Sequence, residues 1–195
     1  PSFVLCTRRA TRPHTTMNHT IRAQDLDGLL DRLPAHTQVL SLDCFDTLLW
    51  RKVAHPTDVF YSLQRSALFQ AHGITADMRI NSESAARKKR KVLAGTYEVS
   101  LSDIYRELLP QADETLIGQA VDAEVSCEIA HGFIYEPVAR LIRRAHQRGL
   151  RTIVVSDTYL SSAQPRHMLS ELMGEDCGLI QQIHCSSEAG TAKTT

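Results

Sequence analysis

One short apolar run, which ends in two acidic residues, constrains the fold more than any other part of the chain. Residues 38–49 read Gln-Val-Leu-Ser-Leu-Asp-Cys-Phe-Asp-Thr-Leu-Leu, and the acids are Asp43 and Asp46. The length of the run, its Val and Leu content and the turn-like residues 33–37 before it are typical of a central parallel strand. In open parallel sheets, ligands bind beyond the carboxyl ends of the strands. The run therefore predicts a strand that presents a nucleophile or a metal ligand, although Asp and Thr also cap helices without any chemistry.

Composition excludes several classes of protein. The chain has 195 residues, 43% of them hydrophobic, and its 22 basic residues equal its 22 acidic residues. This balance gives no indication of nucleic acid or of an acidic membrane surface as a partner. No apolar run approaches the roughly 20 residues that a membrane span needs. The five cysteines form no Cys-x-x-Cys pair, which favours a reducing cytoplasm over a disulfide framework or a zinc site.

The hydrophobic pattern divides the chain into a sheet-forming part and a helical part. Residues 25–33 have the spacing of a short helix, and further amphipathic helices are predicted at 57–71, 77–93, 102–110, 113–129, 136–148 and 164–173. Four consecutive helices without a strand between them cannot extend a parallel sheet. We therefore expect residues 56–131 to form a helical insertion in a core made of 23–55 and 132–195. The Arg-rich residues 1–22 are expected to form a disordered extension outside the fold.

Two further strands also end in polar residues. Residues 150–157 form a β-branched strand that ends in Ser156 and Asp157, and a weaker strand at 179–185 leads into a polar segment that contains Lys193. Right-handed crossovers would bring all three strand ends to one edge of the sheet. A carboxylate, a hydroxyl and an ammonium group in one crevice suit a phosphoryl group.

These segments resemble the motifs of the haloacid dehalogenase superfamily. The matching residues are 42–48 (Leu-Asp-Cys-Phe-Asp-Thr-Leu), 154–157 (Val-Val-Ser-Asp) and Lys193. More closely, they resemble a bacterial subgroup with a Phe-Asp-x-Phe-Asp-Thr-Leu-Leu first motif, which is often found beside surface-polysaccharide genes. The resemblance implies an α/β fold, in which a Rossmann-like parallel sheet carries an all-helical cap inserted after the first strand. It also implies that the fourth, acidic motif and the last part of the core lie beyond Thr195.

The same resemblance implies a mechanism and a set of site residues. Asp43 would be the nucleophile of a Mg²⁺-dependent phosphatase-type hydrolase, would form an aspartyl-phosphate and would also bind the metal. The substrate would be a small phosphorylated metabolite. Phe45 would offer its backbone carbonyl to Mg²⁺, and Lys193 would hold the nucleophile and the substrate. The remaining implied residues are the substrate contacts Thr47, Ser156 and Asp157, together with Asp46 and Arg51 as additional candidates.

One departure from the family keeps other functions open. Phe45 stands two residues after Asp43, where the phosphatases of the family have an acidic residue that protonates the leaving group. A positioned general acid typically contributes about 10²- to 10⁴-fold to the rate. Asp46 follows one residue later, and in an extended segment it would point to the opposite side. The alternatives are a non-catalytic phosphate-binding or regulatory module linked to surface-polysaccharide assembly, and carbon–halogen hydrolysis with Arg51 as the halide-binding residue.

Other polar residues have a structural interpretation beside a functional one. The basic run Arg87–Lys91 resembles a nucleic-acid patch, but we expect it to be the solvated side of a helix. Cys44 lies beside Asp43, and strand alternation predicts that its thiol is buried rather than nucleophilic. Glu124 and Glu128 are spaced to face the same side of a helix, where we expect a solvated or ion-paired surface rather than a substitute acid.

Overall fold

The structure, a computed structural model, describes residues 3–6, 23–26 and 28–193. The strands are β1 (Phe3–Cys6), β2 (Val39–Leu42), β3 (Leu49–Arg51), β4 (Gly132–Ile134), β5 (Arg151–Ser156) and β6 (Ile180–Cys185). The helices are α1 (Asp58–Leu63), α2 (Ala67–Ala71), α3 (Ala76–Ala94), α4 (Leu101–Leu108), α5 (Glu114–His131), α6 (Glu136–Gln147), α7 (Ala163–Met173) and α8 (Ser186–Ala189). Within these residues, no helix is long and apolar enough to cross a membrane.

The main sheet contains four strands in the order β1-β2-β5-β6. Strand β5 lies between β2 and β6 and is parallel to both, with Leu42 opposite Val154 and Ser156 opposite Cys185. The side chains of Leu40, Leu42 and Val154 are at most 1% exposed. Strands buried in this way are typical of a parallel sheet that helices cover, and the predicted α/β fold class is confirmed.

Strand β1 occupies a position that the sequence did not predict. Phe3–Cys6 pairs antiparallel with β2, so that Phe3 lies opposite Leu42 and Cys6 opposite Val39. The expectation that residues 1–22 remain outside the fold was therefore wrong for this segment. Its sequence, Phe-Val-Leu-Cys, has high strand propensity and satisfies the backbone groups on the outer side of β2. Residues 1–2 and 7–22 lie outside the described part of the chain.

The apolar run at 38–49 is a short strand followed by a buried turn, not one long strand. Strand β2 ends at Leu42, and the Cys44 carbonyl then accepts hydrogen bonds from the backbone N–H groups of Leu48 and Leu49, at 2.9 Å each. Asp46 has φ of 55°, which is the left-handed region that Asp tolerates better than most residues. The turn is nevertheless buried, since Cys44 and Leu48 are 0% exposed. The apolar pattern of residues 38–49 therefore runs without a break from an extended strand into a buried turn.

Strands β3 and β4 form a separate two-stranded ribbon at the base of the helical segment. They pair antiparallel, with Leu49 opposite Ile134 and Arg51 opposite Gly132. All of the chain between them, which includes α1 to α5, leaves and returns through this ribbon. Gly132 is required there because an added Cβ would lie 3.0 Å from both the Glu128 carbonyl oxygen and the Leu172 side chain.

Two predicted helices differ from those observed. In place of one α-helix over residues 25–33, the chain has the short 3-10 helix Ala23–Asp25, which ends where the prediction begins, and a second at Leu30–Arg32. Gly28, a poor helix former, lies between them. The helix predicted at 57–71 is divided into α1 and α2. The division occurs at Ser66, whose side chain caps α2 by accepting a hydrogen bond from the Phe69 backbone N–H. Apolar side chains are buried on both sides of each interruption, Leu26 and Leu30 at the first and Leu63 and Phe69 at the second.

Candidate active site

Asp43 and Lys193 form the centre of the site at the carboxyl end of the parallel strands. Asp43 directly follows β2, and Lys193 follows the short helix α8. Lys193 Nζ donates a hydrogen bond to Asp43 Oδ1 at 2.8 Å, and the backbone N–H of Lys193 donates to Asp157 Oδ1 at 3.0 Å. The Asp43 and Lys193 side chains are 25% and 27% exposed, so a ligand can reach the pair. Three of the residues predicted from the sequence are thus brought together.

One oxygen of Asp43 remains available. Both hydrogen bonds to its carboxylate end on Oδ1, one from Lys193 and the other from the backbone N–H of Cys44 at 2.8 Å. Within the described residues Oδ2 accepts no hydrogen bond. A carboxylate with one oxygen held by a cation and the other open is arranged to attack an electrophile or to bind a metal ion.

Local hydrogen bonds explain how the chain places Lys193. The Ser186 hydroxyl accepts from the Thr158 N–H at 3.1 Å and donates to the Thr158 carbonyl at 3.3 Å, and Ser187 Oγ donates to the Leu160 carbonyl at 2.6 Å. These bonds attach the start of α8 to the segment that follows β5. Gly190, with φ of 69°, then ends α8 and turns the chain. Lys193 is therefore positioned by two neighbouring strand ends.

Thr47 and Ser156 lie near these strand ends but do not contact the central pair. They are 1% and 2% exposed, and within the described residues neither hydroxyl bonds to Asp43 or Lys193. The carbonyl of Thr47 accepts a hydrogen bond from Trp50 Nε1 at 3.1 Å. Asp46 is exposed on the turn, and its backbone N–H donates to the Leu49 carbonyl at 2.9 Å. Because its φ is positive, the argument from strand alternation does not apply to Asp46.

Phe45 supports a fixed guanidinium group. The Cζ atom of Arg51 lies 4.4 Å above the centre of the Phe45 ring, in cation–π geometry. Arg51 Nε and Nη2 donate to the two carboxylate oxygens of Glu128 at 2.7 and 3.0 Å. Burial alone would lower the pKa of Arg51, but the hydrogen bonds and charge of Glu128 raise it above its ordinary value. The side chains of Arg51 and Glu128 are 12% and 4% exposed, so the expected solvated or ion-paired surface is, at Glu128, a buried ion pair.

A cavity of about 330 Å³ extends from this region towards the helices. It lies next to the Asp43–Lys193 pair because Asp157, which bonds to Lys193, also lines it. The charged and aromatic residues of its wall are Glu83, Glu128, Asp157, Arg51, Arg87, Phe45, Phe60 and Tyr159. Aromatic faces combined with a few charged groups are characteristic of small-molecule sites.

A second buried ion pair, which the sequence did not predict, packs against Phe60 of the cavity wall. Arg79 is 0% exposed and donates from Nε and Nη2 to Glu124 at 2.6 and 2.8 Å. The Tyr105 hydroxyl donates to the same carboxylate at 2.6 Å, and burial raises the pKa of Tyr105 well above its ordinary value. Arg79 also lies over the ring of Phe60 at 4.6 Å. The spacing of Glu124 and Glu128 on one helix, and of Arg79 and Glu83 on another, indicated ion pairing but not these partners.

The side-chain chemistry fits Mg²⁺ in type but supplies few ligands. Mg²⁺ prefers oxygen donors, and the Asp43 carboxylate is one. The Phe45 carbonyl oxygen is another, since no described residue donates a hydrogen bond to it. No group of three or more His, Cys, Asp and Glu side chains gathers as a metal site within the described residues. The rest of the coordination sphere would have to come from a bound phosphoryl group, water or other residues.

Two structural interpretations of polar residues are confirmed. Cys44 is 0% exposed, and burial raises the pKa of its thiol far above the ordinary value, which excludes a thiolate nucleophile next to Asp43. In the basic run, Lys88, Lys89, Arg90 and Lys91 are exposed on α3, and Lys89 forms an ion pair with Glu107 at 2.9 Å. Arg87 instead points its guanidinium to Glu83 at 2.9 Å in the cavity wall.

Comparison with known proteins gives similarity at the level of solved structures only. No protein-family model matches the chain, and the curated proteins contain no match. A protein assigned as a haloacid dehalogenase-like hydrolase from Bacteroides fragilis is 15% identical, with a TM-score of 0.38 over 80% of this chain and 64% of that one. A protein assigned as a phosphatase from Clostridium difficile is 15% identical, with a TM-score of 0.35 over 77% of this chain and 60% of that one. A hydrolase from Streptococcus pneumoniae is 18% identical, with a TM-score of 0.31 over 71% and 62%. The chain thus spans less than two thirds of the length of these structures, and they assign neither a family nor an activity to it.

Proposed function

We propose that the chain is a hydrolase of the haloacid dehalogenase type that transfers the phosphoryl group of a small phosphorylated metabolite to Asp43. The observation that carries this proposal is the 2.8 Å contact between Lys193 Nζ and Asp43 Oδ1, which leaves Oδ2 open. A carboxylate is a competent nucleophile towards phosphorus, and a neighbouring ammonium group offsets the negative charge of the phosphoryl oxygens.

In the first step, an oxygen of Asp43 forms a bond to phosphorus while the bond from phosphorus to the leaving group breaks. The electron pair of that bond departs with the leaving group. In the second step, water attacks phosphorus, the bond to Asp43 breaks and the carboxylate is regenerated. Lys193 stays next to both the nucleophile and the phosphoryl oxygens. The hydroxyl groups of Ser156 and Thr47 would donate hydrogen bonds to the phosphoryl oxygens.

Mg²⁺ is part of the proposal. The Asp43 carboxylate and the Phe45 carbonyl would hold it, and it would supply positive charge against the phosphoryl oxygens. Residues 56–131 would act as a cap that closes the cavity over the small substrate and sets specificity. We place the protein in the cytoplasm, which accords with the free thiols of Cys44, Cys127, Cys177 and Cys185.

A second candidate function is phosphate binding without catalysis. The observation that favours it is Phe45, which cannot donate a proton to a leaving group. The chain would then be a regulatory module in which the Asp43–Lys193 pair binds a phosphorylated ligand without hydrolysing it.

The test is the release of inorganic phosphate from p-nitrophenyl phosphate by the full-length protein, with Mg²⁺ and with a chelator. We expect Asp43→Asn to lower turnover at least about 1,000-fold, as is typical when a nucleophile is removed. Asp122→Asn, at an exposed position on α5, is the matched control and should retain full activity. Turnover that survives in Asp43→Asn would overturn the proposal.

Two further outcomes would replace the proposal with an alternative. Calorimetric binding of phosphate that is lost in Asp43→Asn, without any turnover, would support the binding module. Chelator-independent release of halide from a 2-haloacid would support carbon–halogen hydrolysis.

A further inference from the structure

We propose that the site acts on phosphoryl compounds whose leaving group departs as an unprotonated anion, such as acyl and aryl phosphates, and that Arg51 stabilises this anion. The inference rests on the proposed function, because it concerns the leaving group of the same reaction. It follows from the cavity wall, in which each acid accepts a hydrogen bond and Arg51 is fixed beside Phe45.

The cavity is where the leaving group would lie. Asp157 binds the backbone N–H of Lys193 at 3.0 Å and also lines the cavity, and Phe45, two residues after Asp43, lines it as well. A phosphoryl group at Asp43 would therefore have the remainder of its molecule beside Phe45 and Arg51. The volume of about 330 Å³ accommodates a small leaving group such as an acyl or a phenyl group.

The acids of the cavity wall all accept hydrogen bonds from other groups. Glu128 accepts two from Arg51, Glu83 accepts one from Arg87, and Asp157 accepts one from the backbone of Lys193. The carboxylate oxygens engaged in these bonds act as hydrogen-bond acceptors. Within the described residues, no carboxyl group of the wall is left without such a donor. Two residues after Asp43, where the phosphatases that the sequence resembles have an acidic residue, this chain has Phe45.

Arg51 is the cation of the wall that is fixed next to Phe45. Its Cζ atom lies 4.4 Å above the ring, and Glu128 holds Nε and Nη2, while Nη1 makes no hydrogen bond to the described residues. A guanidinium group does not release its proton at any working pH, so it cannot act as a general acid. It can stabilise negative charge that develops on a departing oxygen, and a preorganised, half-buried cation does so effectively.

The reaction balances without a proton donor. As the bond between Asp43 and phosphorus forms, the bond between phosphorus and the leaving oxygen breaks, and its electron pair stays on that oxygen. The oxygen leaves as a carboxylate or a phenolate beside Arg51. An alkoxide, in contrast, is too basic to leave without protonation, and alkyl phosphates should be poor substrates.

The experiment compares kcat/KM of the full-length protein, with Mg²⁺, for acetyl, p-nitrophenyl, phenyl and benzyl phosphates. Phenyl and benzyl phosphate have similar size, but benzyl phosphate releases an alcohol. We expect benzyl phosphate to react at least about 100-fold more slowly than phenyl phosphate, which is the smallest usual contribution of a general acid. Equal rates for the two, with turnover that still depends on Asp43, would overturn this inference and leave the proposed function intact.

A variant series tests the role of Arg51. Arg51→Gln combined with Glu128→Gln removes both charges at nearly constant volume, so that no carboxylate is left buried alone. We expect kcat/KM for phenyl phosphate to fall about 10- to 100-fold, and that for acetyl phosphate to fall much less. Arg51→Lys keeps the charge, so the losses for phenyl and acetyl phosphate should differ less in this variant than in the double variant. Arg65→Gln, at an exposed position, is the matched control and should leave the series unchanged.

The outcomes separate the two proposals. An equal loss for all substrates in the double variant would assign Arg51 a structural role and overturn its part in the inference. Absence of any turnover that depends on Asp43 would overturn the proposed function and this inference with it.

Discussion

Lys193 Nζ lies 2.8 Å from Asp43 Oδ1, although 150 positions separate the two residues in the chain. The contact depends on the parallel arrangement of β2, β5 and β6 and on the hydrogen bonds that attach α8 to the segment after β5. The contact between Asp43 and Lys193 therefore requires all three parallel strands to be in place.

Replacement of Lys193 by Met should lower kcat for p-nitrophenyl phosphate about 10²- to 10³-fold, the usual loss when one preorganised charge-stabilising group is removed. The reason is that Asp43 and the phosphoryl oxygens lose their neighbouring cation. Lys88→Met, on the exposed side of α3, is the matched control and should retain wild-type kcat. A kcat for Lys193→Met within threefold of wild type would contradict the prediction.

The buried pair of Arg79 and Glu124 should be sensitive to the loss of one partner. Arg79→Met leaves the Glu124 carboxylate, 1% exposed, with the Tyr105 hydroxyl as its one hydrogen-bond donor among the described residues. We expect the free energy of unfolding to fall by about 3–5 kcal/mol. Urea denaturation measures this change. Arg106→Met removes exposed ion pairs with Glu114 and Asp103 and should cost at most about 1 kcal/mol. Similar losses in both variants would show that burial does not govern the effect.

Two glycine substitutions should have opposite signs. Gly132→Ala places a methyl group 3.0 Å from the Glu128 carbonyl oxygen and should destabilise the protein by about 1–3 kcal/mol through overpacking. Gly118→Ala, inside α5, meets no heavy atom within 4 Å and should stabilise the protein by about 0.5–1 kcal/mol. Thermal unfolding of both variants provides the comparison. Destabilisation by Gly118→Ala would contradict the open space at that position.

The capping box of α4 should make stability depend on acidic pH. Burial alone would raise the pKa of Asp103, but hydrogen bonds from the backbone and side chain of Ser100 and the charge of Arg106 lower it below its ordinary value. A lowered pKa in the folded state means that the carboxylate stabilises the protein above its unfolded-state pKa of about 3.9 and loses this contribution as the pH falls through the folded-state value.

Asp103→Asn should therefore be less stable than wild type at pH 7, and the difference should shrink as the pH falls below about 3.9. The side chain is 45% exposed, so solvent screening limits the difference to about 1 kcal/mol or less. Urea denaturation at pH 7 and at pH 3 measures it. A difference of equal size at both values would show that the charge of Asp103 does not contribute.

The parallel part of the sheet and the central pair of the site were predictable because both depend on local patterns. Arg151–Ser156 and Ile180–Cys185 are β-rich segments bounded by turns and helix ends, and parallel topology then directs their polar ends to one edge. The end of β2 was not predictable from hydrophobicity. Cys44 and Leu48 are buried although their backbone turns. Hydrophobic periodicity does not distinguish a buried turn from a buried strand.

The cavity was also beyond prediction, for a different reason. Arg51 and Glu128 are 77 positions apart, and Arg79 and Glu124 are 45 apart, so each pair depends on how the helices pack rather than on spacing along one helix. Among the described residues, i, i+4 spacing accounts for the ion pairs of Glu83 with Arg87 and with Arg79. The sequence therefore indicated which polar residues lie together at the strand ends, and tertiary packing determined which side chains surround them.

The ribbon of β3 and β4 makes the helical segment an exchangeable module. Because the chain departs and returns through two hydrogen-bonded strands, the separation of its ends is constant whatever lies between them. Loop-closure entropy grows only by about 0.6 kcal/mol for each doubling of length. The helical segment can therefore change in length or sequence while β2 and β5 keep their pairing and Asp43 keeps its place after β2.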